Sequence, residues 1–391
     1  MNPCTHSERI GSLREAEGSK ARRQAKIDSM NRALSMLTGH RPGIVRLQVW
    51  MLLVVTVSLA LGTVECLPAN KTAYKLLPEI NANGPYLGFI IPNPYELQPF
   101  IAPDVFTPNV HTPYVDLAGR RFYIGTIEGQ KTIAVMCGLG MLNAGITTQQ
   151  LFDFFDISGI LHYGIAGGAD DNLHVGDVSI ASSWVHTGLW VWQRAGNDEN
   201  DELPLESDGD YTRKYGALNF KTYNIQTKRP GDRVDHNLLN RVWLQPEEVF
   251  AVTGVPEVRD HLFYVPVTKR YLEVAKPLEN LELQYCVNQT CLDPKPKVVI
   301  GLRGAAASVF VDNAAFRNFL HDKYKVSTLD MESSAIALVS VTNNIPYLII
   351  RALSDSAGGN ADPNQISTFG ALAADNAVLV VRTFVKLLAQ S

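Results

Sequence analysis

The feature that most constrains the fold is a regular alternation of short apolar runs with longer segments of helical spacing, which begins at about Leu87. Runs such as LGFII and PYLIIRALS have the length and composition of buried strands, and segments such as ESSAIALVSVTNN have the length of helices. Alternation of this kind predicts an α/β sheet with helices on both faces. Because ligands of such sheets bind beyond the carboxyl ends of the strands, residues that follow strands are candidate site residues.

The expected elements can be placed on the sequence one by one. Strands are predicted over 87–91, 121–127, 131–138, 159–168, 176–183, 298–304, 326–331 and 346–354, and helices over 140–155, 312–324, 332–344 and 366–388. The second and third strands form a hairpin around Glu128-Gly129. In the first helix, an apolar stripe is expected to face the core, and it consists of Leu142, Ile146, Leu151 and Phe155.

A long segment, Trp190–Pro294, interrupts the alternation. It begins with the charged stretch NDENDELPLESDGD, which predicts an exposed loop. Aromatic and apolar residues return after it, in LNFKTYNI, VWLQPEEVFAV and HLFYVPV. We therefore interpret residues 190–294 as an insert in one domain, which spans residues 80–391, and not as a separate domain.

The chain begins with a basic leader, residues 1–48, which carries nine Lys and Arg against four Asp and Glu and is expected to be disordered. The apolar run Val49–Val64 follows, and small residues lie at its end, before Cys66. This order predicts that residues 49–66 are a signal peptide or an uncleaved signal anchor. Two alternatives stay open: the run is a buried core helix, or translation begins at Met30 and shortens the leader.

Two further features agree with the secretory pathway. Asn70-Lys71-Thr72 and Asn288-Gln289-Thr290 are glycosylation sequons. Cys286 and Cys291 flank the second sequon, where they form either a disulfide or two free thiols. Cys137 lies in an apolar run and is expected to be buried. We predict an extracellular or vacuolar protein.

Charge and residue spacing exclude several classes of partner. Without residues 1–66 the chain has 26 basic and 34 acidic residues, and such a surface does not favour nucleic acid or anionic lipid. A membrane contact is expected only through an uncleaved N-terminal segment. Neither the scattered histidines nor the cysteines have the spacing of a metal site, so no metal and no cofactor are predicted.

Three acidic residues lie at predicted strand ends, namely Glu96, Glu332 and Asp355. For each residue, a purely structural role is the alternative to a role in a site. Glu332 suits the start of a helix, Asp355 suits a helix cap or a turn, and Glu96 suits an exposed position. If the three side chains converge at one edge of the sheet, they form a site.

The motifs in combination are more specific than any one of them. The ordered set LGFI, GLGMLNAG, GIAGG with VGDV, DMESSAIA and IRALSDSAGG resembles the purine nucleoside phosphorylase/uridine phosphorylase superfamily, and its spacing is most similar to the methylthioadenosine/S-adenosylhomocysteine nucleosidases. The insert resembles the plant bark storage protein branch. The resemblance implies a single-domain three-layer α/β/α nucleoside phosphorylase fold with a central mixed sheet and a large insert, and a homo-oligomer.

The resemblance also implies catalytic roles in cleavage of a ribosyl bond. Asp355 matches the acid that protonates the departing purine, and Ser354 would orient it. Burial must keep that carboxyl protonated. Glu332 matches the residue that binds the ribose hydroxyls and stabilises the developing positive charge. Glu96 matches the residue that activates water, and Arg351 matches an arginine that positions that water.

Further positions match residues that bind the substrate. Met331 matches a residue that packs on the ribose, Phe310 matches the aromatic ring that stacks on the base, and backbone groups of Val311 would bind the purine edge. Core packing is the alternative for Phe310. The glycine turn supplies Ile165, Ala166 and Gly167.

Two departures from the family pattern bear on the acceptor. Ile165 stands where the nucleosidases commonly have serine, so a backbone N–H would have to serve there. The stretches IIPNPYEL and YGIAGGA lack the arginines that bind phosphate in bacterial purine phosphorylases. This absence favours water over phosphate as the acceptor.

Three hypotheses follow. The first is a purine nucleosidase that acts by hydrolysis. The second is a phosphorylase, with phosphate as co-substrate and a purine or cytokinin riboside as substrate. The third is a storage or wound-responsive protein with little or no activity.

Overall fold

The computed structural model describes residues 73–194, 203, 215–219, 241–251, 255, 257–359 and 366–391. Twenty strands are present in this part of the chain, namely β1 (Tyr86–Ile91), β2 (Thr107–Pro108), β3 (Tyr114–Leu117), β4 (Arg120–Ile127), β5 (Gln130–Met136), β6 (Ile157–Gly168), β7 (Val178–Ile180), β8 (Ser183–His186), β9 (Trp190–Trp192), β10 (Ala217–Asn219), β11 (Arg241–Leu244), β12 (Glu247–Ala251), β13 (Val258–Leu262), β14 (Val265–Pro266), β15 (Cys286–Val287), β16 (Thr290–Cys291), β17 (Val298–Ile300), β18 (Arg303–Ala306), β19 (Val326–Asp330) and β20 (Tyr347–Ser356).

Seven α-helices accompany these strands in the described residues, namely α1 (Leu77–Ala82), α2 (Pro94–Phe100), α3 (Met141–Phe154), α4 (Lys269–Ala275), α5 (Ala314–Tyr324), α6 (Ser333–Thr342) and α7 (Ile366–Ala389). Short 3-10 helices cover Ala73–Leu76 and Lys276–Asn280. The predicted hairpin is β4–β5, which pairs from Phe122 opposite Val135 to Ile127 opposite Gln130.

The core of the molecule is one mixed sheet of 13 strands, with β14, β8, β18, β19, β6, β1, β5, β4 and β2 in spatial order. β1 lies between β5 and β6 and is parallel to both, and β20 is also parallel to β6. In contrast, β19 pairs with β6 in the antiparallel sense, and so does β7 with β20. The predicted central mixed sheet is therefore confirmed.

Helices cover both faces of the sheet, and its central strands are accordingly buried. Every residue of β1 and all but the last residue of β20 are buried, as expected for strands enclosed on both faces. Helix α7 packs on β20 and β6 and also contacts α2 and α4, whereas α3 packs against α6 and β1. This arrangement agrees with the predicted three layers.

Two predicted strands each divide in two. Residues 176–183 form β7 and the start of β8, and residues 298–304 form β17 and the start of β18. The divisions match: β17 pairs in parallel with β7, and β18 pairs in parallel with β8. Gly301 lies at the break with a φ of 92°, a conformation that glycine adopts readily. The strand pair thereby changes neighbours, from β20 to β19.

The helix α3 has the predicted span, but only half of its predicted apolar stripe faces the core. Leu142 is 76% exposed and Ile146 is 46% exposed. Leu151 and Phe155 of the predicted stripe are buried, and Ala144, Thr147 and Thr148 complete the buried face. Small residues allow α3 to pack closely against α6, where a Cβ on Gly145 would lie 3.9 Å from the Cβ of Ala335.

The insert forms its own small elements around the sheet. Strands β9, β11 and β10 make a three-stranded sheet, β12 and β13 make a hairpin, and β14 extends the central sheet beside β8. Of the predicted exposed loop, 197–210, only Leu203 is described, and it is buried, which contradicts the prediction at that residue. Cys286 and Cys291 form a disulfide, and Cys137 is buried and free.

The N-terminal predictions concern residues that the structure does not describe. The basic leader, the segment 49–66 and the sequon at Asn70 all lie outside the described residues. Residues Ala69–Ser391 form one compact unit. Among the described residues, none of the helices has the length and apolar character that a membrane span requires.

Candidate active site

One cavity of about 240 Å³ lies at the carboxyl ends of β1, β6, β19 and β20. Ten of the predicted site residues line it, namely Glu96, Ile165, Ala166, Gly167, Phe310, Val311, Met331, Glu332, Ser354 and Asp355. The eleventh, Arg351, is fully buried and pairs with the carboxyl groups of the cavity wall. The three acids, which are remote from one another in sequence, therefore converge on one cavity.

Glu96 reaches the cavity from the first turn of α2. Asn93 caps this helix by accepting hydrogen bonds from Tyr95 N (2.9 Å) and Glu96 N (3.2 Å), and Pro94 occupies the first helical position, where its fixed φ is favourable. The proline–asparagine–proline sequence is thus a helix start. The structural interpretation of Glu96 as exposed is wrong, because the residue is only 1% exposed.

The two carboxylate oxygens of Glu96 have different surroundings. Oε1 accepts a hydrogen bond of 2.7 Å from Ile165 N. Oε2 is buried and has no hydrogen-bond partner in the described part of the chain. A buried polar atom without a partner is costly, and this one belongs to a residue of the cavity wall. Oε2 is therefore the atom of Glu96 available to a bound molecule.

Two glycines allow the groups of the site to approach the sheet closely. A Cβ on Gly164 would lie 2.2 Å from Glu96 Oε1, and a Cβ on Gly167 would lie 2.9 Å from the Cβ of Ala357. Any side chain at Gly164 would displace Glu96. The stretch predicted to be a glycine turn is therefore the end of strand β6, and its glycines make room for the carboxyl group.

Glu332 lies at the start of α6, but another residue caps that helix. Asp330 Oδ1 accepts hydrogen bonds from Glu332 N (3.2 Å) and Ser333 N (3.1 Å), whereas the Glu332 side chain makes no capping bond. Glu332 Oε1 instead accepts a hydrogen bond from Gly140 N at 2.9 Å. The carboxylate that caps the start of α6 is therefore that of Asp330. The carboxylate of Glu332 lines the cavity instead.

Arg351 on β20 holds the acidic groups together. Its guanidinium lies 2.6 Å from Asp330 Oδ2, 3.3 Å from Glu332 Oε2 and 3.7 Å from Glu96 Oε1. One cation thus faces three buried carboxyl groups. Asp330 was not among the residues predicted from the sequence; its position immediately after a strand and before a helix was the available signal.

Burial, together with the excess of carboxyl groups over cations, raises the pKa values of Glu96 and Glu332. Burial raises the pKa of Glu96 to about 8, against the opposing effect of Arg351 and the Ile165 N–H, and the charges of Glu332 and Asp330 raise it further. Burial also raises the pKa of Glu332, and Arg351 opposes the shift. Near neutral pH, Glu96 therefore holds a proton.

The raised pKa of Glu96 predicts a dependence of stability on pH. Between pH 4.5 and about 8 the native state keeps a proton that the unfolded state loses, so this contribution to stability is complete below pH 4.5 and is lost as the pH rises through 8. We expect the free energy of unfolding of wild type, relative to Glu96→Gln, to fall by about 1 kcal/mol per pH unit over this interval. Denaturant unfolding at several pH values measures it.

An exposed residue provides the control for this measurement. The variant Glu79→Gln, on the exposed side of α1, should give an unfolding free energy that runs parallel to wild type at every pH. If Glu96→Gln also runs parallel to wild type, the pKa of Glu96 is not raised.

His162 is a second residue that the sequence analysis missed. It is fully buried on β6, and its Nε2 contacts Arg351 Nη2. Because the guanidinium can only donate, Nε2 accepts and Nδ1 donates to Ile90 O at 2.8 Å. Burial lowers the pKa of His162, and Arg351 adds to the effect. The ring is therefore neutral and orients Arg351. Nothing in the apolar run ILHYG distinguishes it from a core histidine.

Asp355 lies at the other side of the cavity, near the end of β20. Ser354 Oγ donates to Asp355 Oδ2 at 2.8 Å, as the predicted orienting role requires. Burial raises the pKa of Asp355; the Ser354 hydrogen bond opposes this shift, and the charge of Asp312 adds to it. The carboxyl group is therefore held closer to its protonated form than a free aspartate.

The rim of the cavity is apolar and open. Phe310 is 57% exposed and Leu139 is equally so, and Val309 lies beside them. The alternative of core packing for Phe310 is thus wrong. Val311 and Met331 also line the cavity.

The homo-oligomer implied by the resemblance stays a prediction.

No cluster of His, Cys, Asp and Glu within the described residues is arranged to hold a metal ion. Arg351 occupies the centre of the acidic groups, where a cation would otherwise be expected.

Comparison with known proteins identifies the family. A model of the phosphorylase superfamily matches residues 86–386, which include every residue of the cavity wall. The chain belongs to the phosphorylase superfamily. The family predicted from the motifs is thereby confirmed.

Within this superfamily the chain is similar to two groups of proteins. It is 29% identical over 283 residues to bark storage protein A of Populus deltoides, which covers 72% of this chain and 82% of the relative. It is 25% identical over 263 residues to the 5′-methylthioadenosine/S-adenosylhomocysteine nucleosidase of Mycobacterium tuberculosis, which covers 67% of this chain and 84% of the relative.

A solved structure shares the superfamily fold. The nucleosidase of S. pneumoniae, solved with a transition-state inhibitor, has a TM-score of 0.50 and 19% identity, and the match covers 78% of this chain and all of that one. Because the match covers all of that chain, the rest of this chain has no counterpart in that structure.

Proposed function

We propose that this protein cleaves the N-glycosidic bond of a purine nucleoside by hydrolysis. The observation that carries the proposal is the convergence of Glu96, Glu332 and Asp355 on one cavity. A ribosyl bond that breaks leaves positive charge on the sugar and negative charge on the base. The cavity offers carboxyl groups for both needs, two beside Arg351 and one beside Ser354.

The base is assigned to the side of Asp355. A protonated Asp355 would donate to the purine nitrogen that acquires charge as the bond breaks, and Ser354 would hold the carboxyl group in place. The ring of Phe310, at the rim, can stack on the purine. Backbone groups at Val311 would bind the edge of the base.

The sugar and the water are assigned to the side of Glu332 and Glu96. Glu332, fixed by Gly140 N and Arg351, would accept hydrogen bonds from the ribose hydroxyls and stabilise the positive charge on the sugar, with Met331 packed on the ribose. Glu96 Oε2, which has no other partner among the described residues, would accept a proton from the attacking water. This role requires that Glu96 loses its own proton first.

Water is favoured over phosphate because the cavity offers little to an anion. Its lining includes Glu96, Asp330, Glu332 and Asp355, and within the described residues no Lys or Arg belongs to it. The N-terminus of α3 is also occupied by the protein itself, since Gly140 N donates to Glu332 and Met141 N donates to Ser308 Oγ at 3.1 Å. The similarity to proteins named nucleosidases supports the same choice.

Product analysis tests this proposal. The purified chain should release free base and ribose from a purine nucleoside at a rate that added phosphate does not change. In ¹⁸O-labelled water, the label should appear at the anomeric oxygen of ribose. Ribose 1-phosphate, formed only when phosphate is present, would instead show the phosphorylase activity, for which cytokinin ribosides are the next substrates to assay.

A storage role is the second candidate, and the similarity to bark storage protein A favours it. On this hypothesis the cavity is retained without turnover. The same panel of nucleosides distinguishes the two candidates, because a storage protein would release no base from any of them, with or without phosphate.

A further inference from the structure

A small hairpin far along the insert has features that the nucleoside site does not explain. Strands β15 and β16 pair with Cys286 opposite Cys291 and Val287 opposite Thr290. The disulfide between the two cysteines closes the hairpin, and Asn288 and Gln289 form its turn. The sequon Asn288-Gln289-Thr290 therefore lies entirely within a loop that is stapled at its base.

The acceptor residue lies at the tip of this loop. Asn288, Gln289 and Thr290 are all exposed. Asn288 has a φ of 54°, a left-handed conformation that Asn tolerates better than most residues. Within the described part of the chain, its carboxamide makes no hydrogen bond to the protein. The amide nitrogen is therefore free to carry a substituent that extends into solvent.

The base of the hairpin is fixed to the core, so a substituent at the tip need not disturb the fold. Leu292 N donates to Tyr285 O at 2.7 Å across the base. Asn376 of α7 bonds to both backbone groups of Gln284, at 2.9 Å each. None of the sequon residues lines the nucleoside cavity.

We propose that Asn288 carries an N-linked oligosaccharide. In the step that attaches it, the Asn288 amide nitrogen attacks the anomeric carbon of an oligosaccharide held on a polyprenyl diphosphate. A C–N bond forms, the bond from the anomeric carbon to the diphosphate oxygen breaks, and the amide loses one proton as the lipid diphosphate departs. The acceptor requirements are an Asn-X-Ser/Thr triplet and a surface loop, and both are met here.

The disulfide in the same loop is a separate observation that points to the same compartment. Disulfides persist in oxidising compartments and are rare in the cytosol, and the secretory pathway is where such oligosaccharides are attached. Cys286 and Cys291 lie on either side of the acceptor. A chain that passes through that pathway would acquire both modifications in this hairpin, in agreement with the extracellular or vacuolar location predicted from the N-terminal segment.

Peptide mapping of the full chain, secreted from eukaryotic cells, tests the proposal. Treatment with a peptide N-glycosidase should remove an oligosaccharide and convert Asn288 to Asp, and the unreduced digest should contain the linked Cys286–Cys291 peptide. An Asn288 that is unmodified in the secreted chain overturns the proposal, whether or not the disulfide is present. An oligosaccharide found only at Asn70 overturns it as well.

Two variants separate the sequon from the fold of the hairpin. Thr290→Ala removes the hydroxyl that the sequon requires but keeps Asn288 in its left-handed turn, so the oligosaccharide should be lost completely. Thr290→Ser, the matched control, should keep it. Both variants should retain the disulfide and show the same nucleoside turnover as wild type. The glycosylation result does not depend on whether the protein is a hydrolase. Retention of the oligosaccharide in Thr290→Ala overturns the assignment to Asn288.

Discussion

Replacing Asp355 with Asn is expected to lower kcat for a purine nucleoside by about three orders of magnitude, since a general acid contributes roughly 10²–10⁴ to a rate. The amide cannot supply the proton that the departing base needs. The fold should persist, because Asn can still accept the hydrogen bond that Ser354 Oγ now donates to Asp355 Oδ2. Steady-state kinetics measure the loss, and thermal unfolding checks that the variant is folded.

The choice of substrate makes this test specific to acid catalysis. Some ribosides have a leaving group that is stable as an anion, and such a group departs without being protonated. Asp355→Asn should therefore lose much less activity on such a riboside than on the purine nucleoside. The control Asp153→Asn, at an exposed position late in α3, should match wild type on both substrates. Equal losses of the Asp355 variant on both would assign Asp355 to binding or folding instead.

The second large effect is expected for Glu332→Gln. A change that removes one preorganised electrostatic contact to the transition state costs roughly 10²–10³ in kcat, and Gln removes the negative charge beside the sugar while keeping nearly the same shape. The amide oxygen can still accept from Gly140 N, which now bonds to Glu332 Oε1. We therefore expect a folded protein with turnover reduced by about that factor, measured under saturating nucleoside.

A 2′-deoxynucleoside shows whether Glu332 acts through the ribose hydroxyls. Wild type should discriminate against it, and the discrimination should shrink in Glu332→Gln, since two changes to one contact are not additive. Glu282→Gln, at an exposed position, is the matched control. If the rate is unchanged in Glu332→Gln, or if the discrimination persists in full, Glu332 does not bind the ribose.

The sequence predicted the sheet because several strands are short apolar runs, as in Tyr86–Ile91. It also indicated that Glu96, Glu332 and Asp355 could meet, because each lies at a predicted strand end and ligands of such sheets bind beyond the carboxyl ends of the strands. Ile165 lines the cavity and donates its backbone N–H to Glu96. The roles of these residues stay proposals until the variants are measured.

Other features could not be predicted, because a residue pattern does not show which way a side chain points or which element it packs against. Asp330 and Glu332 are equally placed to cap α6, and only their side-chain directions show that Asp330 does so. The apolar spacing of α3 misplaced Leu142 and Ile146 because the helix packs on α6 through small residues, such as Gly145 beside Ala335, that are remote in sequence. Hydrophobicity ranks side chains one at a time, whereas close packing is a property of pairs.

The position of Arg351 on β20 has a consequence for how the chain is made. Synthesis proceeds from the N-terminus, so Glu96, Asp330 and Glu332 all leave the ribosome before the arginine that they surround. Until β20 enters the sheet, those carboxylates have no counter-charge and resist leaving water. A nascent chain that stops short of residue 351 should thus be unable to close its central layer, so the cavity can form only after β20 has been made.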